Sequence, residues 1–325
     1  SYMIGGIPRN LGQGATFTES EFVVLEGDEY DTAFFDKRSK FLHYLPEVVV
    51  INNIEFDHAD IYDSLDEIKL TFKRLLNIVP RNGMAYVNGD CANTMDVASG
   101  GPAPVTTVGL GEHCDLQVTD IDYGQENTSF DLDGVRYVLP MAGEFNVRNA
   151  AMAICAARFS GFSADEIRDG LASFEGIARR QEVRGIAGGV RVIDDFAHHP
   201  TAIGLAADSL RQQYPDSRLW VIFEPRSNTT RRNVFQDDLA KALSKADLVV
   251  VPAVPNPEKV AEQDRLDPHK LVSDIEASGT SCWYCETVDE IVSLVAKESQ
   301  EGDTVAVLSN GGFGGIHQKL LDKLS

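Results

Sequence analysis

Short β-branched runs recur along the chain, and each is followed by a polar cluster and then by a helical pattern. They are EFVVLE (21–26), EVVVIN (47–52), GMAYVN (83–88), VRVIDD (190–195), RLWVIFEP (218–225), DLVVVPA (247–253) and DTVAVLS (303–309). Uninterrupted apolar runs of this length, alternating with helices, predict buried strands of parallel sheets built from βα units. Between the two groups, CDLQVTDIDYG, TSFDLDG and VRYVLPM alternate polar and apolar residues and are punctuated by Gly124 and Asp133-Gly134. Period-two alternation with such turns predicts a small antiparallel insertion. NVRNAAMAICAARFSG then reads as an Ala-rich helix with a glycine stop, and SADEIRDGLASF as a helix capped by Ser163 with Glu166 three residues on. GIARRQEVRGIAGGVRV, with Gly185, Gly188 and Gly189, is the expected boundary, because the strand-helix alternation restarts after it.

The predicted class is therefore α/β. A partial central parallel sheet with its antiparallel insertion spans 1–182, and a Rossmann-like domain spans 183–325. Two domains suit 325 residues. Charge narrows the function: 29 Lys+Arg against 50 Asp+Glu leaves a formal net charge of −21. Nucleic-acid binding rests on cationic neutralisation of phosphates, so it is not expected. No apolar run approaches the length of a membrane span, and SYMIGGIPRN has neither a basic nor an apolar leader pattern. Five scattered cysteines make no disulfide framework, and a reducing, cytoplasmic setting is expected.

In parallel α/β sheets, ligands bind beyond the carboxyl ends of the strands. The first two runs lead into Glu26, Asp28, Glu29 and Asp31, and into Glu55, Asp57, His58 and Asp60. Carboxylates and one histidine at two neighbouring strand ends would suit a hard divalent cation such as Mg²⁺. The second half is more cationic. VRVIDD ends in Asp194 and Asp195 before His198-His199, and RLWVIFEP leads to Arg226, Arg231 and Arg232. Arginine forks suit carboxylates and phosphates. The last strand runs into Asn310-Gly311-Gly312-Phe313-Gly314-Gly315 before a helix, a turn that permits close backbone approach to an anion. Cys282-Trp-Tyr-Cys285 has no second Cys/His pair and is read as structural, and neither histidine set has the HExxH spacing of a metallohydrolase.

EGDEYD (26–31), NNIEFDHADIY (52–62), GEFNVRNAAMA (143–153), GIARRQ (176–181), DDFAHHPTA (194–202), FEPRSNTTRRNVFQ (223–236) and SNGGFGGIHQKLL (309–321) together resemble the ATP-dependent Mur ligases of bacterial cell-wall synthesis. Within that family, the last two stretches look most like members that attach the tripeptide L-Ala-γ-D-Glu-meso-diaminopimelate to UDP-N-acetylmuramate during peptidoglycan recycling. The resemblance implies three domains, of which the sugar-binding one and the phosphate loop of the central one are expected upstream of Ser1, since no GxxxxGK[ST] is present.

The resemblance also implies roles. Glu26 would bridge two Mg²⁺ ions and His58 would bind the second. Asn149 would meet the adenine of ATP, with Asn146 on the same helical face; Phe145 stands where the family often has histidine. Arg180 would reach the nucleotide at the domain junction, and Asp195 and His198 would face nucleotide and incoming amine when the domains close. Arg226, Arg231, Asn310, Gly311 and Gly312 are candidates for holding the tripeptide, and Lys73 is a candidate for carbamylation. Alternatives kept open are addition of L-alanine instead of tripeptide, a non-catalytic substrate-binding fragment, and a metallohydrolase.

Overall fold

The computed structural model describes residues 1–325, which pack as two compact units, Ser1–Gly176 and Ile177–Ser325. The first unit opens with short strands β1 (Tyr2–Met3), β2 (Ala15–Thr16) and β3 (Val24–Leu25), followed by the ribbon β4 (Asp31–Ala33) and β5 (Asp36–Ser39). Then come β6 (Val48–Ile51), α1 (Leu65–Ile78), β7 (Met84–Asn88), α2 (Ala92–Val97), β8 (Val105–Gly109), β9 (Leu116–Tyr123), β10 (Thr128–Leu132), β11 (Val135–Leu139), α3 (Glu144–Phe159) and α4 (Ala164–Ala172). One sheet of order β11-β10-β9-β8-β7-β6 joins most of these. Its β6 to β9 pairs are parallel and its β9-β10-β11 pairs antiparallel. The alternating segments thus extend the edge of the parallel sheet. α3 lays Val147, Ala151, Ile154 and Cys155 on that sheet against Phe130, Leu132 and Tyr137. α4 begins with the expected capping box of Ser163 and Glu166.

EFVVLE departs from expectation. Only Val24–Leu25 is extended, and it pairs with Tyr2–Met3 in a separate three-stranded sheet. It is not a neighbour of β6, which forms the edge of the large sheet. Phe22, Val23 and Val24 are exposed, and ten of the twenty exposed large apolar residues lie before residue 46. A strand of a parallel sheet buries both faces, and this one leaves Val24 exposed and Leu25 only half-buried.

The second unit contains β12 (Glu182–Ala187), β13 (Val190–Asp195), α5 (Pro200–Gln213), β14 (Leu219–Phe223), α6 (Gln236–Leu243), β15 (Leu248–Pro252), α7 (Pro268–Ala277), β16 (Ser281–Cys285), α8 (Val288–Glu298), β17 (Thr304–Leu308) and α9 (Ile316–Leu324). Its sheet has the order β12-β13-β17-β14-β15-β16, parallel except for β12. Helices α5 to α7 cover one face and α8 and α9 the other. Gly188 and Gly189, within the stretch expected to hold the boundary, form the two-residue turn between β12 and β13. Both have positive φ, +55° and +75°, which such a hairpin turn demands. Cys282 and Cys285 sit on opposite faces of the sheet, Cys282 in one core and Cys285 in the other, so they serve packing. Burial pushes the Cys282 thiol up to about 12. No helix is long and apolar enough to cross a membrane.

Candidate active site

His58 follows β6 in a left-handed backbone conformation, φ +55°. Its Nε2 lies 2.5 Å from Glu29 Oε1, and Tyr30 packs edge-on to its ring at 4.3 Å. Burial opposes its protonation, but the Glu29 hydrogen bond and the charges of Asp57, Glu29 and Asp60 outweigh it and raise its pKa. Glu26 is exposed, and its carboxylate accepts from the Gly5 amide. The imidazole and the Glu26 carboxylate are thus engaged with different partners, and the expectation that they follow two neighbouring strands of one sheet is corrected: β3 pairs with β1 in a separate sheet, and it is Glu29 that meets His58. The donor types, carboxylate oxygen and imidazole, still suit Mg²⁺. Lys73 is exposed on α1.

Asn146 and Asn149 both lie on α3, but they behave differently. Asn146 is buried, and its amide donates back to the Ala142 carbonyl at 2.6 Å, closing the start of the helix. Asn149 is exposed and accepts from Asn52 Nδ2 at 3.1 Å, which aligns its carboxamide at the end of β6. Of the two, only Asn149 presents its carboxamide to solvent.

In the second unit the strand ends converge closely. Asp195 is buried at the end of β13, where its oxygens accept from the Gln181 and Ala197 amides at 2.9 and 2.7 Å. Burial pushes its pKa up, against those amides and Arg180. Phe196 lies under two guanidinium groups, Arg179 at 5.2 Å and Arg180 at 5.1 Å, with the His198 ring 5.6 Å away. His198 Nδ1 is 3.0 Å from the Phe196 carbonyl. A carbonyl only accepts, so in this contact Nδ1 is the donor.

Arg226, after β14, and Gly311, after β17, are brought together. A Cβ on Gly311 would lie 2.3 Å from Arg226 Nη1, so glycine there lets the guanidinium lie on the backbone. Ser309 ties the same two strand ends, donating to buried Glu224. Asn310 Oδ1, Arg231 Nε and Gln181 Nε2 are buried polar atoms without a hydrogen-bond partner. Such orphans are rare unless a ligand or water completes them. Gly312 is exposed in the same turn. An open cleft of about 490 Å³ between α5 and α6 carries Lys241 and Lys245, but Asp238 and Asp208 pair with them.

Sequence reasoning missed Glu29 on His58, Ser309 on Glu224, and Phe196 beneath the paired arginines. Glu29 and Ser309 stood inside the quoted stretches, but no spacing rule selects them.

Residues 6–157 match the Mur ligase middle domain, and residues 179–311 match the Mur ligase glutamate ligase domain. The UDP-N-acetylmuramate–L-alanyl-γ-D-glutamyl-meso-2,6-diaminoheptandioate ligase of Escherichia coli (strain K12) is 41% identical over 327 residues, covering 100% of this chain and 69% of that protein. Its namesake from Haemophilus influenzae is 35% identical over 99% of this chain and 70% of its own length. The UDP-N-acetylmuramate–L-alanine ligase of Caldanaerobacter subterraneus is 29% identical over 99% of this chain and 69% of its own. Among solved structures, a murein peptide ligase of Psychrobacter arcticus superposes with a TM-score of 0.69 at 30% identity, over 99% of this chain and 71% of that one. The parallel sheets, the converging strand ends and these likenesses along the whole chain lead to one assignment: the protein belongs to the Mur ligase family.

Proposed function

We propose that this chain carries catalytic and amine-substrate groups of an ATP-dependent ligase that joins L-Ala-γ-D-Glu-meso-diaminopimelate to UDP-N-acetylmuramate in the bacterial cytoplasm. The observation that supports it most is the 41% identity, along the whole chain, to a ligase named for that tripeptide, against 29% for an L-alanine ligase. In the reaction, the sugar's lactyl carboxylate takes the γ-phosphoryl group of ATP, releasing ADP. The tripeptide's alanyl amine then attacks the acyl carbonyl, the amide bond forms, and inorganic phosphate leaves with the bonding pair.

Glu26 and His58 would hold Mg²⁺, which when bound neutralises phosphate charge. Asn149 orients the adenine edge, with Asn146 holding the helix that carries it. Arg180 presents a guanidinium to the nucleotide's phosphates. His198 takes the proton the amine loses. Asp195 holds the Gln181 and Ala197 amides and so the loops bearing Arg180 and His198. Arg226 and Arg231, with Asn310, Gly311 and Gly312, receive the tripeptide's carboxylates, and the orphaned Asn310 and Arg231 atoms would be completed there.

Calorimetry of the chain with tripeptide and with L-alanine, together with ADP release by the chain extended with the phosphate-loop and sugar-binding segments expected upstream, in the presence of ATP, Mg²⁺ and UDP-N-acetylmuramate, tests this. Tripeptide should bind at least tenfold tighter than L-alanine and be the amine that stimulates ADP release. Preference for L-alanine would replace the reading with the alanine-adding one.

A further inference from the structure

Three ligating side chains that no part of the proposed reaction uses meet at the carboxyl ends of β7 and β8. Asp90 follows β7, and His113 and Cys114 lie in the β8–β9 loop. The Asp90 carboxylate is divided between two neighbourhoods. Oδ2 accepts from the Leu110 amide at 2.7 Å and from Arg148 Nη1. Oδ1 accepts from the Gly111 amide and faces the other two side chains, with Cys114 Sγ at 3.8 Å and His113 Nε2 at 3.9 Å. All three ligand atoms lie within 4.8 Å of one another.

These separations have a chemical meaning. Zinc bonds of about 2.0–2.3 Å to nitrogen, oxygen and sulfur, arranged tetrahedrally, put neighbouring ligand atoms roughly 3.3–3.8 Å apart. The two measured edges are therefore within a few tenths of an ångström of a coordination tetrahedron. Three glycines make the approach possible. A Cβ on Gly89 would lie 2.5 Å from Cys114 Sγ, on Gly109 2.5 Å from Asp90 Oδ2 and 2.8 Å from Sγ, and on Gly111 2.2 Å from the His113 ring. None of the three has positive φ, so the glycines supply room and not backbone freedom.

We infer that Asp90, His113 and Cys114 form a binding site for one borderline divalent transition-metal ion of the Zn²⁺ class, with a fourth position open to water. A thiolate, imidazole and carboxylate set selects such an ion over Mg²⁺, which prefers oxygen. His113 Nε2 lies 2.9 Å from the Gly89 carbonyl. On binding, the Cys114 thiol releases its proton to solvent, the ring proton moves to Nδ1, and Nε2 turns from that carbonyl to the metal. Arg148 remains on Oδ2, the oxygen the ion does not need. The site is separate from Glu26 and His58, and its test needs no nucleotide.

The chelator-treated, reduced chain is titrated with Co²⁺ and then with Zn²⁺. One equivalent of Co²⁺ should produce a thiolate-to-metal charge-transfer absorption that Zn²⁺ abolishes. Cys114→Ser should remove that band, and His113→Ala should weaken Zn²⁺ binding at least tenfold. Cys91→Ser, a thiol outside the cluster, should leave both unchanged. The His113 side chain is 62% exposed, so its replacement decides the matter even if Cys114→Ser fails to fold. Absence of the band in the unaltered chain, its persistence in Cys114→Ser, or unchanged Zn²⁺ affinity in His113→Ala would each overturn the site.

Discussion

Arg179 Nε lies 3.3 Å from both oxygens of Asp194, while its Nη2 donates to the carbonyls of Ser309 at 2.7 Å and Gly311 at 2.8 Å. One guanidinium thereby ties the segment before β12 to the end of β13 and to the glycine turn after β17. Its neighbour Arg180 is exposed and rests on Phe196. Adjacent arginines thus differ in setting: Arg179 holds the strand ends together, and Arg180 is left exposed to solvent.

Arg179→Ala should cost about 2 kcal/mol or more in urea unfolding, because buried Asp194 keeps only more distant cations. Arg180→Ala should cost about 1 kcal/mol or less, the scale of an exposed cation–π contact, yet slow ADP release at least tenfold. Equal stability losses in the two variants would contradict this division.

Asp194 also faces His317, whose Nε2 is 3.4 Å from Oδ1 and has no hydrogen-bond partner. Burial lowers the His317 pKa; Asp194 pulls it upward, but Arg184 and Arg179 push it down, and the net direction is down. A depressed histidine means the unfolded chain binds the proton first, so its contribution to stability is present above about pH 6.5 and is lost as pH falls from there through the folded value. His317→Gln should flatten that part of the stability curve, read by urea unfolding at several pH values. An unchanged slope would show the histidine to be indifferent.

Asp303 is buried and accepts from Arg218 Nε and Nη2 at 2.9 and 2.6 Å, from Trp220 Nε1 at 2.9 Å and from the Gln300 amide at 2.9 Å. Burial raises its pKa, but Arg218, the amide and the indole together prevail and lower it. Its stabilisation is therefore present above about pH 4 and is lost as pH falls through the folded value. Asp303→Asn should cost about 3 kcal/mol at neutral pH and make acid unfolding shallower. Acid titration followed by circular dichroism checks both signs.

Arg226→Ala should raise the KM for tripeptide about tenfold while changing kcat little, as expected for a group that binds ground and transition states alike. Steady-state kinetics with varied tripeptide, in the chain extended with the phosphate-loop and sugar-binding segments expected upstream, separates the two constants. A fall in kcat at constant KM would move Arg226 from substrate binding to the chemistry.

Strands β6, β7, β13, β14, β15 and β17 were legible because each depends on a pattern only a few residues long, whereas β8 and β16, parallel members of the same sheets, were not singled out. EFVVLE had the right composition for such a strand and still did not join the sheet, since sheet membership depends on what lies on both sides. The candidate site was legible in part. The helical spacing placed Asn146 and Asn149 three apart on α3, but an inward and an outward carboxamide differ only by their position around the helix relative to the sheet.

By itself the sequence determined the alternation of elements, the acidic character of the chain and the family to which its motifs belong, because residue type and local spacing are sufficient for each. Tertiary structure alone decided which groups meet. Glu29 and not Glu26 met His58, Gly311 met Arg226 across 85 residues, and Asp90 met His113 and Cys114 across two loops. These meetings follow from strand order and from where glycine permits close approach, and strand order is settled by pairing between distant segments, which no local pattern encodes.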